Sequence, residues 1–170
     1  MKKLLALAVL CAALFGTWYF ASPWLALKGM RDAAQDMDRA ELERRIDFPA
    51  VRASLKPQLQ AAIRDEAGRG GNALGQVLGR VAAGAVSDRA VELAVTPGGM
   101  ASLITTGAMI SPLLPEQLKP RDVNWGVERD GLNAFRAIGT ADDGAQAPVL
   151  VFARDGLGWR LVAVELPVRG

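Results

Sequence analysis

Hydrophobic and polar positions follow three rhythms along this chain. Residues 4–27 carry no charge, and Lys2 and Lys3 stand immediately before them. As a helix that run spans about 36 Å at 1.5 Å per residue, enough for a bilayer core of about 30 Å. Its most apolar part is 4–20, and Trp18, Tyr19, Phe20 and Trp24 cluster at the far end. Amphipathic rings favour the membrane–water interface. The pattern predicts a signal-anchor, a transmembrane helix over 1–21. With its positive residues before the span, the N-terminus stays inside and the rest is exported. A cleaved signal peptide is the alternative. Cutting after Ala21 leaves the bulky Tyr19 at the third-last place, and Leu10 before Cys11 does not suit a lipoprotein signal.

From 22 to 118 apolar residues recur at helical spacing. Ser22-Pro23 is a helix-start signal, followed by Leu27, Met30, Ala34 and Met37. Asp38 suits the cap of a short helix through Leu42 and Ile46, and Asp47 precedes Phe48-Pro49, another start. Val51, Leu55, Leu59 and Ile63 form a stripe that Pro57 is expected to kink or split. Gly71, Gly75 and Gly79 recur every four residues, a small-residue face for close packing. No Gly-Lys-Ser/Thr follows, which excludes a phosphate loop. Residues 93–115 carry no charge, but Pro97, Gly98, Gly99, Gly107, Pro112 and Pro115 interrupt them. A core helix starting at Thr96-Pro97 is expected there rather than a second span.

Over 122–167 the period drops to two. Val123, Trp125 and Val127 alternate with Asn124, Gly126 and Glu128, and Asp130-Gly131 is a tight-turn signal. A return strand over 132–138, a turn at Asp142-Asp143-Gly144, a strand over 149–152, a turn at Asp155-Gly156 and a strand over 159–166 complete the reading. The expected class is α+β: an N-terminal transmembrane helix, several helices, then a four-stranded antiparallel meander covered by helices on one face. Residues 22–170 form one domain.

Composition narrows the chemistry. Two of the twenty basic residues are Lys2 and Lys3, so the remainder is balanced at eighteen of each sign. That balance disfavours nucleic-acid binding. There is no histidine, and the lone Cys11 lies in the anchor. These absences exclude His-dependent triads, His-ligated zinc, a Cys nucleophile and a disulfide within the domain. No cofactor, metal or catalytic residue is expected. Glu43, Asp47, Asp65 and Glu66 alternate with Arg44, Arg45, Arg52 and Arg64 as on a solvated helix surface. Ser54 and Lys56, two apart on a helix, do not face each other as a nucleophile pair would.

Four stretches have a familiar look: Ser22-Pro23-Trp24; Asp47-Phe48-Pro49-Ala50-Val51-Arg52 with Ser54-Leu55-Lys56; Val95-Thr96-Pro97-Gly98-Gly99; and Phe152-Ala153-Arg154-Asp155-Gly156-Leu157-Gly158-Trp159. Together, after an N-terminal anchor, they resemble a bacterial family of membrane-anchored envelope proteins, domain of unknown function 2939. The resemblance implies no activity. Helices followed by a meander are also similar in order to cone-shaped folds of the nuclear-transport-factor-2 kind, an analogy of fold alone. Asp47, Phe48, Pro49, Arg52, Thr96, Pro97, Arg154, Asp155, Gly156 and Trp159 are the candidate positions, and each has a structural reading. Asp47 caps a helix that Pro49 stiffens, Phe48 plugs the core and Arg52 pairs with Asp47 or another carboxylate. Arg154-Asp155-Gly156 turns a hairpin, and Trp159 packs beside it.

The expected location is a bacterial inner membrane, N-terminus cytoplasmic and domain periplasmic, or the periplasm itself if the segment is cleaved. The expected function is a non-catalytic protein-interaction or assembly module that meets another envelope protein. The alternative is a binding module for an apolar or lipid-like ligand between helices and sheet, lined by 93–115. An enzyme working with carboxylates alone is the third reading.

Overall fold

The uncharged N-terminal run is the first part of a longer helix. A computed structural model describes residues 2–69, 91–106, 123–141 and 147–167 of the chain. Helix α1 (Lys2–Gln35) is exposed along its apolar first half and becomes buried at Leu27, Met30, Ala33 and Ala34, a spacing that puts one face against a core. The expectation that Ser22-Pro23 starts a separate helix is corrected, because Pro23 lies inside α1. A mid-helix proline lacks the N–H that would bond the carbonyl four residues back, here Tyr19. Ser22 Oγ donates to that carbonyl at 2.9 Å and the Arg129 guanidinium donates to it as well, so the helix continues.

The chain leaves α1 through Met37, whose φ is 54°, and enters α2 (Arg39–Arg45). Asp38 caps α2 as expected, accepting from the Glu41 N–H at 3.0 Å. Ile46 lies beyond its end and bridges to Leu161. Arg45 and then Arg44 hydrogen-bond Glu41 and lower its pKa. A Cβ on Gly29 would sit 3.1 Å from the Arg45 guanidinium, so the glycine lets α2 lie closely on α1.

Helix α3 (Phe48–Arg69) buries Val51 and Leu55 and is not split at Pro57. Pro57 and Ala53, whose carbonyl loses its partner, both lie on the exposed side. A helical turn at 91–94 precedes α4 (Pro97–Thr106), in which Met100, Ala101, Leu103 and Ile104 are buried. The expected start at Thr96-Pro97 and the core role of this stretch are both observed. The glycine stripe Gly71–Gly75–Gly79, residues 107–115 and the turn Asp142-Asp143-Gly144 lie outside the described residues.

Strands β1 (Val123–Asp130), β2 (Ala134–Ala141), β3 (Val149–Asp155) and β4 (Gly158–Glu165) form an antiparallel sheet in the order β1-β2-β3-β4. Gly131 (φ 70°) and Gly156 (φ 59°) supply the left-handed backbone of the two tight hairpins. β2 begins at Ala134 rather than 132, because Leu132 belongs to the turn. Register places Val127, Ala137 and Leu150 on one face with Phe135, Phe152, Leu161 and Val164. That face meets the helices and forms the core. Phe135 stacks on Phe152 at 4.5 Å, and Trp159 meets Phe135 edge-on at 4.9 Å. Full burial of each such side chain stabilises by about 1.5–3 kcal/mol. Gly139 opens the inner face where a Cβ would lie 2.7 Å from both Ala147 and Val123.

The outer face carries Asn124, Glu128, Ile138 and Thr140 in the open, with Arg136 paired to Glu165. The β4 edge is closed by α3. The Asp47 N–H donates to the Leu161 carbonyl at 2.9 Å, and Val164 N–H donates to Ser54 Oγ at 3.2 Å. The Gln58 amide accepts from Leu166 N–H and donates to the Val164 carbonyl, both at 2.8 Å, as a neighbouring strand would. An edge strand so covered is protected from pairing with other chains.

Candidate functional site

Where α1 changes from exposed to buried, the sheet grips it with two arginines and a tryptophan. Pro23 leaves the Tyr19 carbonyl free of a helical partner, and Arg129 of β1 reaches it. The Arg129 guanidinium lies 4.6 Å from the Tyr19 ring centroid and 5.5 Å from that of Phe20, within cation–π range. Tyr19 Oη donates to the Leu132 carbonyl in the β1–β2 turn at 2.9 Å. Arg154 of β3 lies over the Trp159 ring at 4.0 Å and over Tyr19 at 5.2 Å. Trp159 Nε1 donates to Ser22 Oγ at 3.1 Å, the hydroxyl that itself donates to Tyr19. Ser22 is thus a buried polar group with both capacities used, as burial demands. The result is a collar that fixes the sheet on the helix at residues 18–22.

The predicted positions fall into joints of this kind. Asp47 caps α3, its carboxylate accepting from Ala50 N–H at 3.0 Å. Pro49 lies in the first turn, and Phe48 is partly buried against the core rather than plugged into it. Arg52 does not pair with Asp47. Its Nη2 donates to the Val95 carbonyl at 2.9 Å, and its guanidinium lies 5.9 Å from the Phe48 ring. That bond ties α3 to the segment before α4. There Thr96 Oγ1 accepts from Gly99 N–H at 3.1 Å, with Pro97 in the first helical position. A Cβ on Gly99 would come 2.0 Å from the Ala94 carbonyl oxygen, so the second glycine admits a close backbone approach. Arg154, Asp155 and Gly156 make the β3–β4 hairpin as expected, and Trp159 is buried beside it.

The structure therefore joins Arg52 to Val95, and Ser22 to Trp159, over whose ring Arg154 lies. It does not gather all of them around one centre. Among the described residues, no group of three or more His, Cys, Asp or Glu side chains is placed to hold a metal ion. Sequence reasoning missed the roles of Tyr19 and Arg129 and those of Ser54 and Gln58. The signal for the first pair was a proline followed by continued helical spacing, which implies a carbonyl in need of a donor. For the second pair it was two polar residues one turn apart beside the Val51–Leu55 stripe.

α1 contains a stretch long and apolar enough to cross a membrane, with mean hydropathy 2.1. No curated protein and no solved structure matches the chain. The family model described as protein of unknown function (DUF2939) matches residues 12–103, from within the apolar run of α1 to Leu103 of α4. The match ends before the sheet, so the Phe152–Trp159 stretch lies beyond it. With more than half of its 170 residues matched, the chain belongs to the DUF2939 family.

Proposed function

We propose that the protein is a single-pass protein of a bacterial inner membrane that holds a non-catalytic protein-interaction or assembly module on the periplasmic side. Its partner is another envelope protein. The observation that supports this most is the unbroken α1, whose exposed apolar half runs directly into a half buried in the domain. A tether of that kind orients a domain, whereas a flexible linker only confines it. The collar at residues 18–22 adds a second point of attachment and keeps one side of the sheet turned away from the helices.

That side has the character of a recognition surface. Ile138 is 37% exposed, with Val149 and Val151 half-buried on the same face. The Arg136–Glu165 and Arg160–Asp155 pairs add charge of both signs. A small apolar patch with a mixed polar surround is how transient interfaces are built. Enclosure of an apolar ligand is less favoured, because Phe135, Phe152, Leu161, Leu103 and Ile104 fill the layer between helices and sheet.

Photo-crosslinking in intact membranes tests the reading. A crosslinker at Ile138 is expected to capture one recurrent envelope protein, and the same group at Met37 is not. Substitution of Val151→Glu is expected to abolish the capture. Repeated absence of any adduct at Ile138, or identical adducts at Met37, overturns it.

A further inference from the structure

We propose that the two hairpin tips of the sheet, carrying Leu132 and Leu157, are seated in the outer interface of the same bilayer that α1 crosses. The proposal deepens the reading of α1 as a membrane anchor and rests on it. The occupant of this surface is lipid.

Leu132 is 71% exposed and Leu157 is 76% exposed, each at the tip of a two-stranded turn. One exposed leucine means little. Here there are two, on neighbouring hairpins, and their position along α1 is fixed. Tyr19 Oη donates to the Leu132 carbonyl, and Arg129 of the same hairpin donates to the Tyr19 carbonyl. Arg154 reaches the rings of Trp18 and Tyr19, and its Nη1 donates to the Leu157 carbonyl at 3.3 Å. Both tips therefore lie at the level of residues 18–20. Exposed Trp18, Phe20, Trp24 and Leu25 occupy the same stretch of α1.

The length of the helix sets where that level falls. From Leu4 to Tyr19 is about 24 Å of helix, whereas a bilayer core is about 30 Å thick and needs about 20 residues, reaching Pro23. With Lys2 and Lys3 in the inner headgroup layer, residues 18–20 lie within about 8 Å of the outer edge of the hydrocarbon. The tips are carried there with them. Aromatic rings and arginines favour that zone, the rings for their mixed polarity and the arginines because their heads reach phosphate. Asp130 and Asp155 stand next to the tips and limit the depth to the interface.

The full chain in phosphatidylcholine–phosphatidylglycerol vesicles tests this with an environment-sensitive fluorophore on single cysteines. Native Cys11 labels the anchor. In a Cys11→Ser background, Leu132→Cys and Leu157→Cys label the tips, and Gln35→Cys labels the far end of α1. All are exposed positions, and circular dichroism checks that each variant is folded. The expected result is blue-shifted emission at both tips, with quenching by lipids spin-labelled near the headgroup at least twofold stronger than at Gln35→Cys. If the tips match Gln35→Cys while Cys11 reports hydrocarbon, the tip proposal is overturned and the anchor stands. If Cys11 reports water, the anchor reading is overturned, and the tip proposal with it.

Discussion

Arg129 and Pro23 should be energetically coupled although they lie on different elements. Pro23 deprives the Tyr19 carbonyl of its helical donor, and Arg129 supplies a charged one. Replacing Arg129 with methionine removes that hydrogen bond, of a kind that contributes about 1.5–3 kcal/mol when one partner is charged. It also removes the cation–π contact with Tyr19, about 0.5–1 kcal/mol. Ser22 Oγ remains on the carbonyl and softens the loss, so the expected cost is about 2–3 kcal/mol. For a chain of this size that corresponds to a fall in Tm of about 5–10 °C. In a Pro23→Ala background the backbone regains an N–H for Tyr19, and Arg129→Met should cost only about 1 kcal/mol. Unfolding of all four variants in a mild non-ionic detergent, followed by near-ultraviolet circular dichroism, gives the double-mutant cycle. A coupling of about 1–2 kcal/mol is expected. Additivity within about 0.5 kcal/mol would refute the claim that Arg129 answers the proline.

Other substitutions probe the remaining joints. Gly139→Ala forces a methyl between Ala147 and Val123, and overpacking of about 1–3 kcal/mol should appear as a lower denaturation midpoint. Asp47→Ala should cost about 0.5–2 kcal/mol as the cap of α3 is lost, and Asp47→Asn should recover most of it. Gln58→Leu leaves Leu166 N–H and the Val164 carbonyl unpaired on the β4 edge, so light scattering should show aggregation on mild heating that wild type does not. Glu41 has a lowered pKa, so its contribution is present above the ordinary glutamate range and is lost as pH falls through the lowered value. The pair lies at the surface, where the Arg44 side chain is 72% exposed and solvent screens the interaction. An acid titration of Glu41→Gln should therefore nearly superimpose on that of wild type down to the carboxylate range.

The sheet was the most legible part of the sequence. Val123–Val127 alternates cleanly, and Asp130-Gly131 and Asp155-Gly156 supply turn chemistry that few other residues satisfy. Strand ends were read one to three residues off, and Leu132 looks like a strand residue until it is seen holding the turn by its carbonyl. Helix caps at Asp38, Asp47 and Thr96 were legible because a short polar side chain before an apolar stripe has one common use. Pro23 misled, because proline normally ends or starts a helix unless tertiary partners satisfy the freed carbonyl, and the partner of the Tyr19 carbonyl, Arg129, is 110 positions away. Arg52 misled for a similar reason: its acceptor is a backbone carbonyl at Val95, and a carbonyl leaves no mark in the residue type. The candidate positions were found, but as separate motifs. Only the fold shows that they are two joints.

The account depends most on α1 crossing a bilayer with the domain on its far side. A phosphatase that folds only in an oxidising compartment, and a fluorescent protein that folds only in the cytosol, fused in turn after Gly170, measure this directly. The account predicts an active phosphatase and a dark fluorescent fusion. A fluorescent fusion with an inactive phosphatase would contradict it.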